Sequence, residues 1–146
     1  MCPNPYDCES ILLIDDNDID NFIATKIIDK LEIAKQVISK TSAEDALEYL
    51  NLCVKNFTLP EIILLDIRMP SMDGFDFLRE FAKFPPTVHA ACNIFILSSS
   101  VDSRDIERVK KNPHVQSFIT KPLTLDNFQK ALTLLERKNK LNSKTA

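Results

Sequence analysis

Three aspartates, a serine and a lysine are the residues whose company would do chemistry in this chain. Asp15-Asp16 follows the apolar run Ile11-Leu12-Leu13-Ile14, and Asp66 follows Ile62-Ile63-Leu64-Leu65. Ser98, first of Ser98-Ser99-Ser100, follows Ile94-Phe95-Ile96-Leu97, and Lys121-Pro122 follows Phe118-Ile119-Thr120. Carboxylates held within a few ångströms of one another repel, and the arrangement is tolerable only with a cation among them. Hard oxygen donors suit Mg²⁺, with Asp16 and Asp66 as ligands and Asp15 acting partly through water. An aspartate beside Mg²⁺ is also a nucleophile for phosphorus, so Asp66 would form an aspartyl phosphate whose oxygens Lys121 and the Ser98 hydroxyl bind. Taken singly, adjacent aspartates after a strand read as helix caps and a Lys-Pro pair as a loop. Their coincidence at the ends of four apolar runs points instead to one phosphoryl site.

Convergence of residues so far apart in sequence requires a fold that brings strand ends together. The four runs, with Val37-Ile38, read as five buried strands, and stretches of helical spacing separate them. The first such stretch carries Ile19, Phe22, Ile23, Ile27 and Leu31, and the second Ala43, Ala46, Leu47, Leu50 and Val54. Phe75, Leu78 and Phe81 mark a third, Ile106 and Val109 a fourth, and Phe128, Ala131, Leu132 and Leu135 a fifth. Ser42, Asp73, Asp102 or Ser103, and Thr124 stand where N-caps belong. Strict strand-helix alternation demands a parallel sheet with helices on both faces, a three-layer α/β sandwich of (βα)5 type. In such sheets ligands gather at the carboxyl ends of the strands, where the polar residues lie. Residues 83–93, with Pro85-Pro86, are expected to be a loop. The expected division is an N-terminal extension over 1–8, one domain over 9–138 and a polar tail over 139–146.

At 146 residues there is room for one domain. With 45% hydrophobic and 27% charged residues, a disordered or collagen-like chain is excluded. Eighteen basic against 21 acidic side chains leave a net charge of −3, which argues against general binding of nucleic-acid backbones. No secretory leader and no membrane-spanning run is read, so a cytoplasmic protein is expected. Cys2, Cys8, Cys53 and Cys92 lack zinc spacing and are expected to be buried or idle; His89 and His114 read as isolated loop or surface residues. Gly74 is the sole glycine, which excludes glycine-rich phosphate loops.

The motifs resemble those of the two-component response-regulator receiver domain from Ile11 to about Lys138. Ile11-Leu12-Leu13-Ile14-Asp15-Asp16 is similar to the acidic-pair strand of that family. Leu64-Leu65-Asp66-Ile67-Arg68-Met69-Pro70-Ser71-Met72-Asp73-Gly74 is similar to its phosphoacceptor signature, Ile96-Leu97-Ser98 to its hydroxyl strand and Thr120-Lys121-Pro122 to its lysine strand. The resemblance implies a flavodoxin-like sheet of order 2-1-3-4-5, an order the family itself illustrates. It also implies Asp66 phosphorylated by a histidine kinase or fed by a histidine phosphotransfer protein. Mg²⁺ would be held by Asp15, Asp16, Asp66 and the Arg68 backbone carbonyl, with a cis Lys121-Pro122 bond. Ser98 and Phe118 would form a switch re-shaping the surface of the fourth helix, fifth strand and fifth helix. Output would be contact with a downstream protein, without direct nucleic-acid or membrane binding. Arg68 and Ser100 would line the entrance of the hydrolytic water and tune the phosphate's lifetime.

The chain departs from the family in Asn112-Pro113-His114-Val115-Gln116, where Gly-Ala is common, in Ser99 for alanine, and in Phe118, which lacks a tyrosine hydroxyl. The expectation is a stand-alone receiver whose only catalysis is Mg²⁺-dependent self-phosphorylation and autodephosphorylation; a phosphorelay intermediate is equally compatible. The rival is a Mg²⁺-dependent phosphohydrolase of the haloacid-dehalogenase type, which needs a second aspartate where Arg68 stands.

Overall fold

The computed structural model describes residues 8–99 and 102–145, with side chains through Glu136. The strands are β1 (Cys8–Ile14), β2 (Ala34–Lys40), β3 (Ile62–Leu65), β4 (Asn93–Ser98) and β5 (Val115–Thr120). The helices are α1 (Asp18–Leu31), α2 (Ala43–Asn56), α3 (Gly74–Phe81), α4 (Pro86–Ala91), α5 (Ser103–Lys111) and α6 (Leu125–Thr145). All strand pairs are parallel, in the order β2-β1-β3-β4-β5. This is the three-layer sandwich expected from the alternation of elements, with the flavodoxin-like strand order that the resemblance implies.

Side chains alternate across the pleat and divide the core between the two faces. Leu12, Ile14, Ile63, Leu65, Ile94 and Ile96 pack with α2, α3, α4 and α5. Ile11, Leu13, Ile62, Leu64, Phe95, Leu97 and Ile119 pack with α1 and α6. The runs are continuously apolar because both faces are covered. The edge strands differ from expectation: no residue of β2 is fully buried, and in β5 only Ile119 is. An edge strand has a neighbour on one side only, so its side chains meet less of the helical layers.

Four further details correct the sequence reading. Residues 86–91 form α4 where a loop was expected; Pro86 sits at its start with φ already suited to a helix, and Val88 anchors it in the core. The last helix continues to Thr145 where a polar tail was expected, since no glycine or proline interrupts it. Ile19, Phe22 and Ile23 are exposed, and Asn21, Ala24 and Ile28 fill the inner face of α1 instead. His89 and His114 are not isolated: their rings lie 4.3 Å apart, each also against Phe81, and His89 Nε2 is 2.9 Å from the Phe81 carbonyl. Among the cysteines, Cys8, Cys53 and Cys92 are buried as expected, and burial, with the nearby Cys53, pushes the Cys92 thiol up to about 12. Residues 1–7, including Cys2, lie outside the described residues.

Burial and the neighbouring His89 lower the proton affinity of His114 below its ordinary value of 6.5. The unfolded chain therefore binds more protons than the folded one as pH falls through about 6.5, and stability declines on acidification in that window. His114→Gln is expected to flatten this decline, read as the urea midpoint against pH. An unchanged slope would refute the assignment to the histidine pair.

Candidate functional site

The site is assembled by backbone bonds that carry the ladder one residue past the strands. Asp15 N donates to the Lys40 carbonyl at 3.1 Å, Asp66 N to Ile14 at 2.9 Å and Lys121 N to Ser98 at 3.0 Å. Each candidate residue is thereby fixed to the strand beside it. Asp66 is further constrained from below. Gly74 N donates to the Ile67 carbonyl at 2.8 Å, and a Cβ on Gly74 would lie 2.7 Å from both the Asp66 carbonyl oxygen and Ile67 Cα. Glycine is required for this close approach, not for an unusual φ, since its φ is not positive. Asp73 and Asp76 form a capping box that starts α3 directly after the loop.

The structure brings together the residues singled out from sequence. Ligand oxygens of Asp15, Asp16 and Asp66 all lie within 4.8 Å of one another. Asp15 and Asp66 are buried, while Asp16 is exposed at the rim. Lys121 Nζ donates to Asp15 Oδ2 at 2.5 Å and to Asp66 Oδ2 at 3.4 Å. Burial raises the proton affinity of both Asp15 and Asp66, and the lysine opposes that effect in each. Burial likewise works against the Lys121 ammonium, but bonds to Asp15 and Asp20 and the charge of Asp66 outweigh it, and its proton is held more tightly than usual. A set of hard carboxylate oxygens within this span matches the donor chemistry of Mg²⁺.

Ser98 is fully buried at the end of β4, and Phe118 on β5 is half-buried against the same core as Ile96, its register partner. The Lys121-Pro122 bond is cis, as the resemblance implies. In the departing segment before β5, the Asn112 side chain accepts from His114 N at 2.9 Å and its carbonyl from Val115 N at 3.2 Å, which supplies the turn without Gly-Ala. Ser99 is exposed, and Ser100 lies outside the described residues.

Three contacts escaped the sequence reading. Lys121 Nζ also donates to Asp20 Oδ2 at 2.9 Å, making a third aspartate partner. The Arg68 guanidinium pairs with the buried Asp105 on α5, so the loop after β3 is tied to the helix after β4. Beside it, the Arg108 guanidinium stacks 3.7 Å over the Phe75 ring, linking α5 to α3 as well.

Comparison with known proteins yields concordant matches. A family model described as the response regulator receiver domain matches residues 11–133. A two-component response regulator from Cytophaga hutchinsonii, known as a crystal structure, is 31% identical with a TM-score of 0.82, over 89% of this chain and 98% of that one. The probable methanogenesis regulatory protein FilR2 of Methanothrix harundinacea is 27% identical over 84% of this chain and 77% of its own length. Hybrid signal transduction histidine kinase K of Dictyostelium discoideum is 26% identical over 89% of this chain, which spans only 10% of that protein.

Proposed function

The chain belongs to the response regulator receiver family, whose members are phosphoacceptor switches of two-component signalling and not classical enzymes, and on that premise we propose that Asp66 is the residue it phosphorylates. The observation that carries this reading is the meeting, at three strand ends, of the Asp66 carboxylate with the Lys121 ammonium and the Asp15 and Asp16 carboxylates. Asp15, Asp16, Asp66 and the Arg68 carbonyl would hold Mg²⁺, which when bound offsets the negative charge of the transferred group. Asp66 attacks phosphorus, Lys121 keeps its proton and hydrogen-bonds a phosphoryl oxygen, and Ser98 binds another. Drawing Ser98 toward the phosphoryl group would leave space for Phe118 to turn inward and re-shape the face of α5, β5 and α6.

The proposed donor is a histidine kinase or a histidine phosphotransfer protein, and the proposed output is contact with a downstream protein in the cytoplasm. Among the described residues no helix is long and apolar enough to cross a membrane, and Cys53 and Cys92 are buried thiols. A relay role, passing the phosphoryl group on to another histidine, uses the same residues. A phosphohydrolase reading is not favoured, because the Arg68 guanidinium, engaged by Asp105, offers no general acid two residues after Asp66.

The direct test is incubation of the purified chain with acetyl phosphate and Mg²⁺, followed by intact mass. One hydroxylamine-labile phosphoryl group is expected, and no uptake would sink the reading. Asp16→Ala should weaken Mg²⁺ binding by roughly tenfold or more, since one of few charged ligands is lost; a titration matching wild type would remove Asp16 from the ligand set. Arg68→Asn should shorten the life of the aspartyl phosphate by removing a guanidinium able to bond its oxygens and obstruct the in-line approach of water. Label remaining for as long as in wild type after donor removal would refute that shielding.

A further inference from the structure

An ammonium has three N–H bonds, and three carboxylates lie around that of Lys121: Asp15 at 2.5 Å, Asp20 at 2.9 Å and Asp66 at 3.4 Å. Two of the three have other work in the proposed function, Asp15 toward Mg²⁺ and Asp66 toward phosphorus. Asp20 has neither. It stands in the first turn of α1, closing a ring of hydrogen bonds on one side of the site. Asp15 Oδ1 accepts from Asn17 N at 2.9 Å, Asn17 Oδ1 accepts from Asp20 N at 3.1 Å, and Lys121 joins Asp20 back to Asp15. Asn21, one residue on, donates its side-chain amide to the Asp15 carbonyl at 2.9 Å, so this turn is fastened to the acidic loop a second time. The Lys121 side chain is 12% exposed against 35% for Asp20, which places the lysine inside and its helix-borne partner toward the mouth.

We propose that Asp20 is a positioning residue for Lys121, the partner retained when Asp15 and Asp66 turn to metal and phosphorus, which keeps the ammonium where the incoming phosphoryl oxygens arrive. This inference rests on the assignment of Asp66 as phosphoacceptor. In the transfer step an Asp66 oxygen forms the new bond to phosphorus with its own electron pair. The bond from phosphorus to the acetyl oxygen breaks, and its pair leaves on acetate. Lys121 gives up no proton; it supplies a hydrogen bond, and the value of that bond depends on the long side chain already being in place. Asp20 supplies that placement from a rigid helix rather than from the loop that carries Asp15 and Asp16.

Phosphorylation by acetyl phosphate at saturating Mg²⁺ tests the idea. Asp20→Ala is expected to slow it by roughly fivefold or more while leaving Mg²⁺ affinity at the wild-type value, because Asp20 is not a ligand. Asp20→Asn, which keeps an acceptor and the side-chain volume without the charge, should fall between, and it carries the test if the alanine variant folds poorly. Since Asp20 acts through Lys121, Asp20→Ala with Lys121→Ala should be no slower than Lys121→Ala alone. Wild-type rates in both Asp20 variants, losses that add in the double variant, or weakened Mg²⁺ binding would each overturn the positioning role. A wild-type chain that takes up no phosphoryl group overturns the Asp66 assignment and this inference together, whereas a labelled wild type beside unaffected Asp20 variants overturns this inference alone.

Discussion

Asp66→Asn is expected to abolish the acid-labile phosphorylation of the chain by acetyl phosphate and Mg²⁺, leaving a signal indistinguishable from background. The amide oxygen is a poor nucleophile and a weak ligand for a hard cation, so the substitution would remove both the proposed attacking group and one of the proposed Mg²⁺ ligands. Asparagine has nearly the volume of aspartate, and the backbone of residue 66 remains bonded to Ile14, so the fold should persist. A circular dichroism spectrum matching wild type, with no label retained, is the predicted pair of results. Hydroxylamine-labile label on the variant would place the phosphoacceptor elsewhere.

The second large effect lies on the one glycine. Gly74→Ala would set a methyl group 2.7 Å from the Asp66 carbonyl oxygen and from Ile67 Cα. Both neighbours are backbone, and both belong to the segment that leaves the central strand, so neither has a flexible end that could move aside. Overpacking of this kind costs roughly 1–3 kcal/mol, and backbone neighbours place the change at or above the upper end. A fall in the urea midpoint with an unchanged slope is expected. Because the strain is relieved by moving the Asp66 backbone, the phosphorylation rate should fall even under conditions where the variant is fully folded. A variant as stable and as readily phosphorylated as wild type would show that this close approach is not required.

The parts of this architecture that were legible in the sequence are those set by local pattern. Ile11 to Ile14 and Ile62 to Leu65 are unbroken apolar runs because strands covered on both faces have no solvent side, and the polar residue that ends each run marks the sheet's rim. Asp73 with Asp76, and Thr124 with Asn127, cap their helices through bonds spanning three residues, which a linear reading captures. Contacts made by long side chains between distant elements left no such trace. Arg68 is expected only at the entrance beside Asp66, and nothing in the sequence pairs it with Asp105 until α5 brings that residue to it; His89 and His114 read as isolated until α4 and the start of β5 meet over Phe81. Ile19 and Phe22 fit an inward helical face by spacing, yet Asn21 takes that side because its amide bonds the Asp15 carbonyl. Asp20 left only a local trace: it reads as one of the acidic residues in the first turn of a helix, and nothing in a linear reading points it at Lys121.

The tie between Arg68 and Asp105, with Arg108 over Phe75 beside it, has a thermodynamic corollary for whatever meets α5. Through these contacts α5 is joined to the loop after Asp66 and to α3, so a shift of the helix that parts them alters the surroundings of Asp66, and a change at Asp66 alters the footing of the helix. Linkage then makes the traffic symmetrical. By whatever factor a phosphoryl group on Asp66 strengthens the grip of a protein bound to α5, that bound protein stabilises the phosphorylated form by the same factor. A target seated there is therefore also an effector of its own signal, and the cellular abundance of the target would set how much of the chain stands phosphorylated at a given supply of donor.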